Sequence, residues 1–148
     1  CWGGQTVEVF SSADALADTS CGGTRPTNRV AVGDLFRAEQ WRRDTLLDYT
    51  DITSDGFEVQ TDPSSLWNGM IHPLLTMRFS GAIWYQGEAN AKNAASYACR
   101  FPAMITDWRQ KFDLPDLSFV YVQLAGYSDG ETWAYVRAAQ DAALQLPR

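Results

Sequence analysis

The residues of this sequence best suited to chemistry lie in the stretch Tyr85-Gln86-Gly87-Glu88-Ala89-Asn90, directly after the mostly apolar Gly81–Trp84. A side-chain amide of Gln86 or Asn90 can donate a hydrogen bond to an oxygen that becomes negatively charged during a reaction. Glu88 can orient a neighbouring group or take part in acid–base chemistry. The alternative is that these groups satisfy the backbone of a turn, a position in which Asn and Gly are common.

A second candidate block stands near the start of the sequence, at Trp2-Gly3-Gly4. Two adjacent glycines permit a tight turn whose backbone N–H groups face outward, and such donors stabilise an oxyanion. Trp2 is a candidate for contacting the substrate beside them. The alternative is that the glycine pair forms only a loop.

His72 is the only histidine of the chain, so serine–histidine catalysis within these residues would need it as the base. It precedes Pro73, which favours an extended loop conformation, and no serine stands in a Gly-x-Ser-x-Gly motif. We therefore interpret His72 as structural. Asn68, in a Trp-Asn-Gly turn, is the better candidate for an amide that binds substrate, although turn formation also explains it.

Composition limits the class of protein. The 148 residues suffice for one domain, and an apolar content of 45% allows a buried core. A formal net charge of -6 argues against a nucleic-acid partner. No apolar run approaches the roughly 18 residues of a membrane span. Cys1, Cys21 and Cys99 lack the C-x-x-C spacing of zinc or thioredoxin-like sites, which leaves either a disulfide or three free thiols.

The elements that must position the candidate residues are clearest in the second half of the chain. The stretch RFSGAIWYQ (78–86) is apolar on both faces, which is typical of a strand in a parallel sheet covered by helices. A second strand is predicted at LSFVYVQLAG (117–126), and a last helix from Thr132. Between the strands, apolar residues at steps of three and four predict an amphipathic helix that ends near Lys111: Tyr97, Phe101, Met104, Ile105, Trp108 and Phe112.

Strand, helix, strand and helix in this order predict an α/β fold with a doubly wound parallel sheet. Ligands of such sheets bind beyond the carboxyl ends of the strands. Gln86 follows the first strand and Gln123 ends the second, so we expect both to face one rim. Outside this core, a helix at 35–49 and a short edge strand at 56–62 are predicted.

Four motifs read in order give the chain a family resemblance: CWGGQTVEVFSS, SLWNGMIHPL, GAIWYQGEAN and YACRFPAMITDWRQKF. Together they resemble the sialate O-acetylesterases, which belong to the SGNH or GDSL-like hydrolases. The resemblance covers most of the chain and is weakest between Thr24 and Asp62. It implies a flavodoxin-like α/β/α fold and removal of acetyl groups from O-acetylated sugars, with no metal or organic cofactor.

The same resemblance assigns Gly3, Gly4 and the block Gln86 to Asn90 to the oxyanion hole and to the arrangement of the site. The family's nucleophilic serine lies in a Gly-Gln-Ser-Asn-like block and its histidine in an Asp-x-x-His-like block, and neither motif occurs here. We therefore expect residues 1–148 to be the incomplete central part of one SGNH domain. An oxyanion hole acts only on a nucleophile that is present, so this chain alone should be inactive.

The implied partners are O-acetylated sialic acid or another acetylated sugar, and the rest of the protein's own chain. Animal members of the family are lysosomal or secreted, which a Cys21–Cys99 disulfide would fit. One alternative is a non-catalytic carbohydrate-binding module, suggested by six Trp, six Tyr and the missing serine–histidine pair. Another is one half of a processed esterase. Most aromatic residues fall inside apolar strands or helix stripes, which favours the enzyme.

Overall fold

The computed structural model of the chain describes residues 4–23, 63–127 and 131–147. The predicted helix at 35–49 and the predicted strand at 56–62 lie outside these residues. The described helices of four or more residues with α geometry are α1 (Val7–Phe10), α2 (Ala13–Leu16), α3 (Ala94–Lys111) and α4 (Glu131–Gln140). Tighter or wider turns cover Thr19–Cys21, Trp67–Ile71, His72–Leu74, Glu88–Asn93 and Asp141–Gln145.

Two parallel strands form the sheet of the described residues. Strand β1 (Gly81–Trp84) pairs with β2 (Ser118–Tyr121), with Gly81 opposite Ser118 and Trp84 opposite Tyr121. The ladder continues past the strands, because Val122 N–H donates to the Trp84 carbonyl at 2.9 Å. Helix α3 connects the strands, since a parallel pair needs a crossover rather than a hairpin. The fold is thus α/β with a small parallel sheet, and both strands are shorter than the apolar runs that predicted them.

Helix α3 carries the core of the protein. All six residues of the predicted apolar stripe are buried, and Tyr97, Phe101 and Met104 are fully inaccessible. The stripe packs against the sheet through aromatic rings. Phe101 stacks on Trp84 at 6.1 Å between ring centroids and meets Tyr121 edge-on at 5.3 Å. Edge-on and offset ring pairs of this kind stabilise a core beyond the apolar area that they bury.

Only one face of the sheet is covered by described residues. Trp84 points toward α3 and is 8% exposed, whereas its neighbour Ile83 points to the opposite face and is 87% exposed. On β2, Val120 is likewise exposed at 61%. The prediction of helices on both faces therefore holds for one face of the part of the chain that the structure describes. None of its helices is both long enough and apolar enough to cross a membrane.

A disulfide between Cys21 and Cys99 links the N-terminal segment to α3, with a Cα–Cα distance of 5.5 Å. The cysteine spacing alone left a disulfide and free thiols open, and the structure contains the pairing that the family resemblance suggested. The bridge joins residues 78 positions apart. It holds the end of the segment that begins at Gly4 against the middle of the core helix.

Reducing this disulfide is expected to lower the free energy of unfolding by about 4 kcal/mol, because a long closed loop restricts the unfolded chain. Urea unfolding with and without dithiothreitol measures the difference. The variant that carries Cys21→Ser and Cys99→Ser should match the reduced protein and should not respond to dithiothreitol. Equal unfolding midpoints for the oxidised and reduced wild type would contradict the stabilising role.

Candidate active site

A cavity of about 640 Å³ opens beside β1. Six consecutive residues, from Gly81 to Gln86, contribute to its wall. Because successive side chains of a strand point to opposite faces, a wall of consecutive residues places the cavity along the edge of the strand. Strand β2 occupies the other edge of β1, so the cavity follows the edge with which no described strand pairs.

Polar groups line the cavity where β1 ends. Gly4, Gln5, Gln86 and Glu88 contribute there, and Glu88 is exposed. Most of the remaining wall is apolar, and it includes Phe10, Met70, Ile71, Leu74 and Phe79. The structure thus brings the second glycine of the N-terminal block and the polar residues after β1 to one cavity. Their catalytic roles stay predictions, and Trp2 and Gly3 lie outside the described residues.

Gly4 has a backbone conformation that is typical of glycine in a turn. Its φ is +73°, in the left-handed region that glycine adopts without a Cβ penalty. No described residue accepts a hydrogen bond from the Gly4 N–H. Backbone N–H groups at a glycine turn are among the donors that stabilise a negative oxygen.

The side-chain amides of Gln86 and Asn90 are joined to each other and to the N-terminal segment. Gln86 Nε2 donates to Asn90 Oδ1 at 2.7 Å and to the Gln5 carbonyl at 2.9 Å. Asn90 Oδ1 also accepts from the Val7 N–H at 2.9 Å. Because an amide nitrogen has two protons, both protons of Gln86 are donated within the chain. Donation from Gln86 to an oxyanion therefore requires the exchange of one of these bonds.

The backbone of Gln86 is fixed from the opposite side by buried groups. Its carbonyl accepts from Gln140 Nε2 at 3.4 Å and from the Tyr97 hydroxyl at 3.5 Å. Gln140 is itself fully buried and receives the Leu124 N–H at 2.9 Å. Burial raises the pKa of Tyr97, and because a tyrosine hydroxyl is protonated at neutral pH in any case, it acts here as a donor.

Gly87 forms the turn that carries the chain from β1 into the segment Glu88–Asn93. Its φ is +146°, which side chains of L-residues rarely adopt. A Cβ at this position would approach Leu124 Cδ1 to 3.1 Å. Both observations explain the glycine between Gln86 and Glu88, because the backbone must turn in a tightly packed place.

The other sequence candidates lie away from the cavity wall. Asn68 is exposed in the wide turn Trp67–Ile71. Gln123 is exposed and donates to Asp141 Oδ1 at 3.0 Å, so its side chain contacts the end of α4 rather than Gln86. Strand β2 ends at Tyr121, two residues before Gln123, and side chains near neighbouring strand ends can point to different surroundings. The binding roles of Asn68 and Gln123 stay predictions.

His72 has a different backbone conformation from the one predicted, although it also lies off the cavity wall. Its φ of -53° and ψ of -40° are helical, and Pro73 stands in the first turn of the short helix His72–Leu74. Proline is tolerated there because the first N–H groups of a helix have no intrahelical acceptor. The extended conformation predicted from the following proline is therefore wrong. His72 is exposed and contacts Trp67 edge-on at 6.2 Å.

Sequence reasoning missed two groups of this site. One is Glu8, whose carboxylate accepts from Asn90 Nδ2 at 3.0 Å across 82 positions of sequence. The other is the apolar wall formed by Met70, Ile71 and Leu74. Spacings of three and four between these apolar residues were a usable signal, whereas nothing in the sequence indicated the partner of Glu8. Among the described residues, no cluster of acidic, His or Cys side chains is suited to hold a metal ion.

Comparison with known proteins identifies a matching family and several relatives of this chain. A family model described as carbohydrate esterase, sialic acid-specific acetylesterase matches residues 38–148. The sialate O-acetylesterase of Mus musculus is 37% identical over 136 residues, which are 85% of this chain and 25% of that protein. The sialate O-acetylesterase of Homo sapiens is 36% identical over 115 residues, covering 76% of this chain and 21% of that protein.

A solved structure is similar over nearly the whole chain. The crystal structure of a novel carbohydrate acetylesterase from Xanthomonas citri matches with a TM-score of 0.65 and 31% sequence identity, covering 99% of this chain and 27% of that one. The chain thus spans about a quarter of the length of the relatives that it matches. The activity of a whole relative therefore rests on many residues that this chain does not contain.

Proposed function

We propose a function from one premise, which is that this chain belongs to the family of sialic acid-specific acetylesterases among the carbohydrate esterases. In our proposal, the protein contributes the oxyanion-stabilising part of an enzyme that hydrolyses O-acetyl esters of sialic acid or of another acetylated sugar. The observation that carries the proposal is the meeting of Gly4, Gln86 and Glu88 at one cavity beside the carboxyl end of β1. Ester hydrolysis develops negative charge on the former carbonyl oxygen, which such donors stabilise.

In the proposed mechanism, a serine outside these 148 residues attacks the acetyl carbonyl carbon. A histidine, also outside them, takes the hydroxyl proton and gives it to the leaving sugar oxygen, while the acetyl group stays on the serine. Water, deprotonated by the same histidine, then attacks this acetyl ester, and acetate leaves as the serine recovers its proton. The backbone N–H groups of Gly3 and Gly4 hold the oxyanion of the tetrahedral intermediate, together with the amide of Gln86 after it exchanges one internal bond. Asn90 and Glu88 arrange this part of the site, while Trp2, Asn68 and Gln123 contact the sugar.

We also propose that β1 and β2 belong to a larger doubly wound, flavodoxin-like sheet. The edge of β1 with which no described strand pairs and the exposed apolar face at Ile83 and Val120 support this fold, because a parallel sheet is ordinarily covered by helices on both faces. Residues 1–148 would then form the middle of one SGNH domain, and the rest of the enzyme's chain would complete the sheet. The Cys21–Cys99 disulfide supports a lysosomal or secreted location, because disulfides persist in oxidising compartments.

The proposal can be tested with a chimeric protein in which this chain replaces the matching segment of one of its relatives. It should release acetate from O-acetylated sialic acid, and an organophosphonate that reacts with activated serines should inhibit it. Peptide mapping should locate the modified serine outside residues 1–148. The 148-residue chain alone is the matched control and should neither release acetate nor react.

The alternatives give different results in the same assay. A carbohydrate-binding module would bind the sugar without turnover. Half of a processed esterase would become active when a separate second segment is added. A modified serine within residues 1–148, or turnover by this chain that His72→Ala abolishes, would contradict the proposed placement of the nucleophile and base.

A further inference from the structure

Glu8 connects the candidate site to a charged residue of the core helix. Its side chain lies on α1, and the Oε2 atom accepts from Asn90 Nδ2 at 3.0 Å. The Oε1 atom lies 3.5 Å from Arg100 Nε on α3. Arg100 Nε also donates to Ser96 Oγ at 2.8 Å, one helical turn away. Both charged side chains are largely shielded from solvent, with 22% of Glu8 and 17% of Arg100 exposed.

The contacts of Glu8 and of the Val7 N–H together determine which end of the Asn90 amide faces which neighbour. A carboxylate can only accept hydrogen bonds, so the nitrogen of the Asn90 amide must face Glu8. The Asn90 oxygen then faces the Val7 N–H and Gln86 Nε2, at 2.9 and 2.7 Å. The opposite orientation would place two donors together at Val7 and would leave the Glu8 carboxylate without its donor.

The orientation of Asn90 in turn determines the orientation of Gln86. Because Asn90 presents an oxygen, Gln86 must turn its nitrogen toward it, and that nitrogen also donates to the Gln5 carbonyl. Gln86 Oε1 is then buried without a partner among the described residues. An ion pair therefore joins Arg100 to Glu8, and hydrogen bonds continue from Glu8 through Asn90 to Gln86 at the wall of the cavity.

We propose that Glu8, paired with Arg100, is a positioning residue that fixes the amide orientations of Asn90 and Gln86 at the esterase site. This inference rests on the proposed function, because Gln86 acts on the oxyanion there. Glu8 touches neither the substrate nor the reacting atoms. Its contribution is to keep the site amides in one orientation before the substrate binds, so that Gln86 has to exchange only one hydrogen bond and does not have to turn its amide during the reaction.

The test uses the same chimeric protein, in which this chain replaces the matching segment of one of its relatives. Glu8→Ala should lower kcat for an acetylated sugar about 10- to 100-fold, because misplaced site groups slow the chemical step. KM should change little, since the lost interaction does not bind the substrate. Glu8→Gln should restore most of kcat, because a glutamine oxygen can still accept from Asn90 Nδ2.

Two further variants separate positioning from general stability. Asp14→Asn removes the charge from a second ion pair, in which Asp14 Oδ2 lies 2.7 Å from Lys111 Nζ. This ion pair does not contact Asn90. Asp14→Asn should leave kcat unchanged. Arg100→Ala combined with Glu8→Ala should cost little more than Glu8→Ala alone, because both side chains act through one chain of contacts. Thermal unfolding of each variant shows whether the compared proteins are folded.

The outcomes for the inference and for the proposed function are distinct. A wild-type protein that releases no acetate would overturn the proposed function and the positioning role with it. An active wild type whose folded Glu8→Ala variant keeps its kcat would overturn the positioning role alone. Loss of activity in Glu8→Gln equal to the loss in Glu8→Ala would also overturn it, because the accepting oxygen would then not be the relevant feature.

Discussion

Replacing Gln86 by alanine in the complete enzyme is expected to lower kcat by about 10²- to 10³-fold, or about 3–4 kcal/mol of transition-state stabilisation. The physical reason is that the amide of Gln86 lies at the cavity beside Gly4 and is proposed to donate to the oxyanion. KM should change much less than kcat, because the negative charge exists only in the transition state. Steady-state kinetics with an acetylated sugar and with p-nitrophenyl acetate measure both constants.

Gln86→Glu sharpens this experiment. Glutamate has nearly the size of glutamine, but its ionised side chain cannot donate a hydrogen bond to an oxyanion. It should therefore be as slow as the alanine variant. Gln110→Ala is the matched control, because Gln110 is an exposed glutamine on α3 away from the cavity, and it should behave like the wild type. A folded Gln86→Ala enzyme with unchanged kcat would exclude Gln86 from the oxyanion role.

Phe101→Ala is expected to lower the free energy of unfolding by about 3–5 kcal/mol, because it leaves a cavity in the middle of the core. Phe101 is inaccessible to solvent and lies between both strands and its own helix. Its ring stacks on Tyr97 at 5.2 Å and on Trp84 at 6.1 Å, and it meets Tyr121 edge-on at 5.3 Å. The neighbouring rings cannot close the space without leaving their own contacts.

Urea unfolding of the 148-residue chain, followed by tryptophan fluorescence, measures this change. Leu144→Ala is the matched control, since Leu144 is an apolar residue with 67% of its surface exposed. It should shift the free energy of unfolding by no more than about 0.5 kcal/mol, as other surface substitutions do. Equal losses from Phe101→Ala and Leu144→Ala would contradict the assignment of Phe101 to the centre of the core.

Some parts of the fold could be predicted because their signals are local. The predicted apolar stripe, with five residues in α3 and Phe112 directly after it, recurs at helical spacing, and burial follows from that spacing once one face of the helix meets a sheet. The strand at Gly81–Trp84 was indicated by another local signal, a short run of mostly apolar residues. The surroundings of this strand could not be predicted, because apolar residues on both faces do not show which elements cover each face. Ile83, for example, is exposed in the described structure.

The candidate site was predicted as a set of residue types, but its connections were not. Gln123 was predicted to end the second strand, but β2 ends at Tyr121, and the Gln123 side chain contacts Asp141, because the direction of a side chain depends on the elements packed beside it. His72 was predicted as extended from its proline neighbour alone. His72 instead begins a short helix that includes Pro73. The preference of a residue before proline for an extended conformation is therefore overridden here by helix formation.

The sequence by itself determined the α/β alternation, the buried stripe of α3 and the block of amides that follows β1. Only the tertiary structure decided that Gly4 and Gln86 share a cavity and that Asn90 turns its nitrogen toward Glu8. The physical reason is the range of the interactions involved. Hydrophobic periodicity involves neighbouring residues of the sequence. The orientation of an amide depends on which donors and acceptors meet it, and two of the three partners of the Asn90 side chain, Val7 and Glu8, lie more than 80 positions away.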